Sequence, residues 1–279
     1  MGGYIHFNGE QVLADEKLAG ARNRGLRYGD GLFETMLITD GKIRLASFHF
    51  DRLLNGLQTL QIHIPAFLSP DYLAEAIISL CRKNNLEKLA RARLNIFRGD
   101  GSPTNLENII PSIVIESEPL PEDYTHYNKE GLEIGIYKEV RKSCDILSNL
   151  KSNNFLPYLM AATYAKQQRL NDCLLLNSYD RICDATIANM FWVKNSQVFT
   201  PPLSEGCVAG VMRRFLLEKM RNAGYAVEEM ICVKQKLAEA DEIFLTNALF
   251  GIRWVRQLRD KTYSNKFSAQ LYKQFIQKP

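Results

Sequence analysis

Residues 119–131, PLPEDYTHYNKEG, carry two prolines and many polar side chains, with neither a helical nor a strand period. A stretch of this kind cannot continue a sheet or a helix, so it predicts a linker in a chain patterned on both sides. The reading is an N-terminal domain over residues 1–118, a linker over 119–131 and a larger domain over 132–279. Both sides mix alternating runs with helical-period runs, and no internal repeat or low-complexity segment is present. This predicts an α+β fold with two layers in each domain.

In the first part, YIHFNGEQV reads as a hairpin turning at Asn8-Gly9, and a second turn is expected at Asp40-Gly41. Leu53, Leu54, Leu57 and Leu60 lie on one stripe of a helix starting near Ser47, its expected N-cap. Ser69 and Pro70 are cap and first-turn residue of a second helix. ARARLNIF alternates strictly and predicts a strand with Arg91, Arg93 and Asn95 on one face. PSIVIES is another strand.

In the second part, LEIGIYKEV, DCLLLNS, AVEEMICV and DEIFLTNAL read as strands, with a turn at Tyr179-Asp180 and a hairpin at Asn195-Ser196. FLPYLMAATYAKQQRL, GVMRRFLLEKMRNAG, QKLAEA and FSAQLYKQFIQ read as helices, the second stopped by Gly224.

Composition narrows the function classes. A net charge of +4 in 279 residues, with both signs interspersed, gives no case for nucleic acid or a membrane as partner. The six cysteines form no CxxC pair and the four histidines are scattered, so no metal site is expected. Reduced thiols, no signal-like N-terminus and no long apolar run predict a cytoplasmic protein.

Several residues are ambiguous singly. Lys151 could be a solvated helix-start charge or a reactive amine. Asp184 could cap a turn or neutralise a cation. Gly210 precedes a helix whose backbone N–H groups could receive a phosphate, and Thr246-Asn247 end a strand where further donors could serve the same anion. Arg52 could pair with Asp51 or Glu34, or reach that phosphate. Arg91, Arg93 and Arg98 could face solvent or meet substrate carboxylates. Gly29-Asp30-Gly31 reads as a tight hairpin.

Taken in order, these pieces carry a resemblance that runs nearly end to end. RGLRYGDGLFET, FHFDRL, the lysine in NLKSNN, DATIANMFW, AGVMRRF and ADEIFLTNALFGI resemble the class IV pyridoxal-phosphate proteins. These are branched-chain aminotransferases, D-amino acid aminotransferases and aminodeoxychorismate lyases. The chain is most similar to the lyases, on IANMFWVKNSQVFTPPL, GVMRRF and TNAL. Aminotransferases commonly have Thr where this chain has Met212.

The resemblance implies a fold type IV, D-amino acid aminotransferase-like enzyme. Its small N-terminal domain precedes a larger cofactor domain, and it forms a homodimer with the site between domains. It implies pyridoxal 5'-phosphate as cofactor, with Lys151 holding its aldehyde and Asp184 facing its ring nitrogen. Arg52, Val211, Met212, Thr246 and Asn247 would surround the phosphate. Asp184 stands where the family usually has Glu, Phe155 near a usual Tyr, and RGDGSPTNLEN replaces an arginine- and glycine-rich loop of some lyases. The expected reaction is cleavage of 4-amino-4-deoxychorismate, with Arg91, Arg93 or Arg98 on its carboxylates. The alternatives are a branched-chain or D-amino acid aminotransferase and a non-catalytic cofactor-binding relative.

Overall fold

The computed structural model describes residues 3–102, 104 and 110–277, so most of the loop GSPTNLEN lies outside the described residues. The chain divides into two compact units, residues 1–124 with 150–154, and residues 125–149 with 155–279.

The first unit is built on an antiparallel sheet of six strands. They are β1 (Tyr4–Phe7), β2 (Glu10–Leu13), β3 (Gly31–Thr39), β4 (Lys42–Ile43), β5 (Leu89–Arg98) and β6 (Pro111–Pro119), in the order β2-β1-β6-β5-β3-β4. The alternation of ARARLNIF becomes alternating burial. Ala90, Ala92, Leu94 and Ile96 are buried while Arg91, Arg93 and Asn95 are only partly covered. The inward face packs with Phe50, Leu53 and Leu57 of helix α2 (Ala46–Thr59) and Leu73, Ile77 and Leu80 of helix α3 (Pro70–Lys83). Each such aliphatic side chain contributes roughly 1.5–3 kcal/mol by leaving water.

Turn chemistry decides the connections. Asn8 and Gly9 (φ 49° and 101°) and Asp40 and Gly41 (φ 48° and 69°) adopt the paired positive φ of tight hairpins. Ser69 accepts from Tyr72 N and caps α3. Ser47 does not cap α2: Leu45, in the left-handed region at φ 57°, turns the chain so that the helix starts at Ala46 without a side-chain cap. Gly29-Asp30-Gly31 is not a hairpin either. Gly29 (φ +64°) ends a short helix, α1 (Arg24–Tyr28), which is too brief to leave a period in the sequence.

The second unit holds a mixed nine-stranded sheet. Its strands are β7 (Leu132–Lys142), β8 (Asp172–Asn177), β9 (Ile182–Ala185), β10 (Asn189–Lys194), β11 (Gln197–Thr200), β12 (Val227–Glu229), β13 (Glu242–Asn247), β14 (Gly251–Leu258) and β15 (Lys261–Thr262). The order is β12-β11-β10-β13-β14-β7-β8-β9, with β15 on β14. Strands β10 and β13 are buried on both faces, which explains the unbroken apolar runs MFWV and IFL. The Phe191 and Phe244 rings stack at 5.1 Å. Helices α4 (Leu156–Gln167), α5 (Val211–Asn222), α6 (Lys234–Glu239) and α7 (Lys266–Leu271) complete the unit, and Gly224 (φ +77°) follows the end of α5 as expected. No helix among the described residues is long and apolar enough to cross a membrane.

Candidate active site

The candidate residues fall into two groups, one in each unit.

In the first unit, Lys151 sits on a segment stitched to β3: Phe33 N donates to Lys151 O at 2.9 Å, and Ser152 bridges Leu32. Its ammonium lies 4.3 Å from the centre of the Phe33 ring, and the Arg93 guanidinium lies 4.0 Å from the same centre. One aromatic ring thus holds two cations beside it, an arrangement the ring quadrupole favours.

The neighbour of Phe33, Glu34, is 1% exposed and accepts from Arg52 through Nε at 2.8 Å and a terminal nitrogen at 2.5 Å. His49 Nδ1 lies 2.6 Å from the same carboxylate. Burial raises the Glu34 pKa, but Arg52 and His49 outweigh it and bring it down to about 2. Burial lowers the His49 pKa against the pull of Glu34, and Arg52 and Lys151 add to the lowering.

The three other arginines differ in their commitments. Arg91 pairs with exposed Glu118 at 2.6 Å. Arg98 is used up locally, bonded to Asp30 at 2.8 Å and to the carbonyls of Leu60 and Gln61. Arg93 forms no hydrogen bond or ion pair within the described residues.

In the second unit, Asp184 is 2% exposed on β9, opposite Leu175 of β8. Its Oδ2 accepts from Tyr158 hydroxyl at 2.9 Å, from Val208 N at 2.9 Å and from Lys142 Nζ at 3.2 Å. Its Oδ1 accepts from Asn189 Nδ2 at 3.0 Å. Asn189 also donates to Val208 O at 2.8 Å, tying the carboxylate to the turn that enters α5. Burial, followed by the Asp184 charge and its hydrogen bond, raises the Tyr158 pKa well above the ordinary phenol value, so this hydroxyl stays protonated.

Gly210 is the N-cap of α5, and no side chain caps that end. A Cβ there would stand 1.8 Å from Asn189 Oδ1, so the position requires glycine because Asn189 fills the space. The N–H groups of the first turn lack intrahelical acceptors and form a positive helix end. The Val211 and Met212 side chains are buried at 4% and 1% exposure, which leaves only their backbone for a ligand. α5 packs against β13, where Thr246 pairs with Asn189. Thr246 Oγ1 is buried without a hydrogen-bond partner among the described residues. Asn247 is committed to its own turn: its Oδ1 accepts from Leu249 N and Phe250 N, both at 3.0 Å.

Sequence reasoning missed Lys142, Tyr158, Asn189 and His49. Lys142 ends the charged run KEVRK, which reads as a solvated strand end. Tyr158 and Asn189 sit in apolar contexts that read as core.

The description "Amino-transferase class IV" belongs to a family model that matches residues 31–258. Over 235 residues the chain is 30% identical to the aminodeoxychorismate lyase of Vibrio harveyi, covering 82% of this chain and 83% of that one. It is 27% identical over 279 residues to a putative branched-chain-amino-acid aminotransferase of Methanocaldococcus jannaschii, covering 98% and 94%. A crystal structure of the branched-chain aminotransferase from Thermoproteus uzoniensis with norvaline has the same fold. Its TM-score is 0.89 at 18% identity, over 99% of this chain and 94% of that one. The family match begins at the first residue of β3 and ends at the last of β14, so it spans Lys151, Arg52, Asp184, the start of α5 and Thr246; the chain belongs to the class IV aminotransferase family.

Proposed function

We propose that the protein is a pyridoxal-phosphate enzyme that cleaves 4-amino-4-deoxychorismate to 4-aminobenzoate and pyruvate, a step of folate biosynthesis. The observation that carries the cofactor reading is the orphaned Thr246 hydroxyl on the strand against which the uncapped α5 packs. A buried hydroxyl without a partner costs about 1–3 kcal/mol, and a phosphate oxygen accepting from it removes that cost. The lyase reading draws on the relative at 30% identity and on Met212, where the aminotransferases commonly have Thr.

In this reading the α5 backbone at Val211 and Met212, with Thr246, Asn247 and Arg52, holds the phosphate, and Asp184 faces the ring nitrogen. When bound, pyridoxal phosphate supplies an aldehyde that captures the substrate amine and a ring that accepts electrons from the adjacent carbon. Lys151 Nζ takes the proton from the amine-bearing ring carbon. It then returns a proton to the methylene carbon of the enolpyruvyl group as that group's bond to the ring breaks. The Phe33 ring, its centre 4.3 Å from this amine, helps to place it. Of the three arginines, Arg93 has the donors to meet a substrate carboxylate; Arg98 is used locally and Arg91 faces Glu118 at the surface. An aminotransferase reading shares every one of these residues and is supported by the Methanocaldococcus jannaschii relative. Release of 4-aminobenzoate and pyruvate in equal amounts, without any keto acid, tests the lyase against it.

Thr246→Val separates the cofactor role from a structural one. The apo-protein is expected to gain about 1 kcal/mol by losing an unsatisfied hydroxyl, while the Kd for pyridoxal phosphate rises roughly 10–100-fold. Calorimetric unfolding of the apo-protein and fluorescence titration of the cofactor check the two signs.

The homodimer implied by the family finds support on α4. Leu156, Leu159 and Met160 expose 72%, 54% and 49% of their surface along one side of the helix. Met160→Glu is expected to shift sedimentation toward the single-chain mass. An unchanged dimer would move the interface elsewhere. The cytoplasm as location accords with six free cysteines.

A further inference from the structure

Asp184 carries a counter-charge that is built into the fold. Lys142, the last residue of β7, is 7% exposed. Its ammonium has three N–H donors, and each has an acceptor: the Tyr158 hydroxyl, Asp184 Oδ2 at 3.2 Å and Gly206 O at 2.6 Å. The Tyr158 hydroxyl in turn donates a hydrogen bond to Oδ2 at 2.9 Å. With Val208 N added, Oδ2 accepts three donors and Oδ1 a single one, from Asn189. The Asp184 carboxylate is therefore fixed in rotation, and its open acceptor direction is on Oδ1.

The charge matters as much as the orientation. A buried carboxylate without a cation takes up a proton instead of remaining charged. Among the described residues Lys142 is the cation bonded to Asp184. The other titratable groups around it cannot replace that charge. Burial pushes the Cys183 and Cys207 thiols up, Tyr158 is held protonated, and Asp172 adds a like charge whose own pKa burial raises.

We propose that Lys142 is a positioning residue that keeps Asp184 ionised and turned so that Oδ1 alone is offered to a protonated heterocyclic nitrogen. The last clause rests on the reading of Asp184 given under the proposed function; the ionisation of Asp184 does not. An aspartate shorter than the usual glutamate gains from such a tether, because a short side chain cannot search for its partner.

The test uses the full-length protein with Lys142→Gln, which keeps N–H donors but no charge, and Lys142→Arg, which keeps the charge. Tyr158→Phe removes one hydrogen bond and leaves Lys142 in place. Infrared spectra of the apo-proteins report a protonated carboxyl group, assigned by its loss in Lys142→Gln/Asp184→Asn. The band is expected in Lys142→Gln and absent in wild type, Lys142→Arg and Tyr158→Phe. In the cofactor-loaded proteins the pH at which the bound chromophore changes its absorbance should shift by a unit or more in Lys142→Gln and return toward wild type in Lys142→Arg. A folded Lys142→Gln without the carboxyl band overturns the proposal, whatever its activity. A carboxyl band with an unchanged cofactor spectrum overturns instead the placement of Asp184 at the ring nitrogen, and with it the role of Lys142 toward the cofactor.

Discussion

Lys151→Ala is expected to lower turnover about 10⁴-fold, the upper range for losing a single group that both takes and gives a proton. The proposed role accords with how the residue is placed. Its backbone is fixed to β3 through Phe33 N, and its ammonium rests at 4.3 Å from the Phe33 ring centre. The ring face attracts the charged amine and so helps to place it. Lys151→Arg should fail almost as badly, since a guanidinium does not give up its proton near neutral pH. Borohydride treatment followed by peptide mapping checks the assignment apart from turnover. Wild type should carry a reduced pyridoxyl phosphate group on the Lys151 peptide, and Lys151→Ala should carry none there. Labelling of another lysine in wild type would remove Lys151 from its role.

Glu34→Gln carries the largest expected effect on stability. Glu34 is buried between Arg52 and His49, and removing its charge takes this anion away from a partly buried guanidinium. Breaking a buried pair on one side costs about 3–5 kcal/mol. Because the chain has two units, the loss belongs to the first, and hydrogen exchange of the β3 and β5 amides is the measurement that sees it. The pH dependence has a definite sign. Folding depresses the Glu34 pKa from 4.5 to about 2. Its contribution is therefore complete above about pH 4.5 and is lost as pH falls toward 2. The gap between wild type and Glu34→Gln should be full at pH 7 and narrower at pH 3. A gap that stays constant over this range would show that Glu34 acts through shape and not through charge. With Arg52 at the phosphate, as proposed, the variant should also bind pyridoxal phosphate more weakly.

The elements that could be read from the sequence are those whose cause is local. Strict alternation in ARARLNIF, Asn-Gly and Asp-Gly turns, and Ser69 before Pro70 each decide structure within a few residues. Leu45 defeated the same logic at α2, because a left-handed leucine has no sequence signature of its own. Strand β9 was hidden because ICDA is four residues long and fully buried. The candidate site divides in the same way. Lys151, Asp184 and Gly210 could be singled out through the family resemblance. The sequence offered Asp51 or Glu34 as partner for Arg52, and the fold pairs Arg52 of α2 with Glu34 of β3.

The partners of Asp184 could not be read. Lys142 and Tyr158 reach it across 42 and 26 positions, and Val208 across 24, so only the folded sheet brings them together. Nor does a sequence distinguish a satisfied threonine from an orphaned one. Thr246 became informative because its hydroxyl has no partner among the described residues, a property of packing between β13 and its neighbours.

The most direct measurement is a turnover assay of the purified, cofactor-loaded protein on 4-amino-4-deoxychorismate with no keto acid added, following both products. Equimolar 4-aminobenzoate and pyruvate, lost in Lys151→Ala, is the expected result. Bound cofactor with no release of either product, together with amino transfer from an amino acid to 2-oxoglutarate, would contradict it and make the protein an aminotransferase.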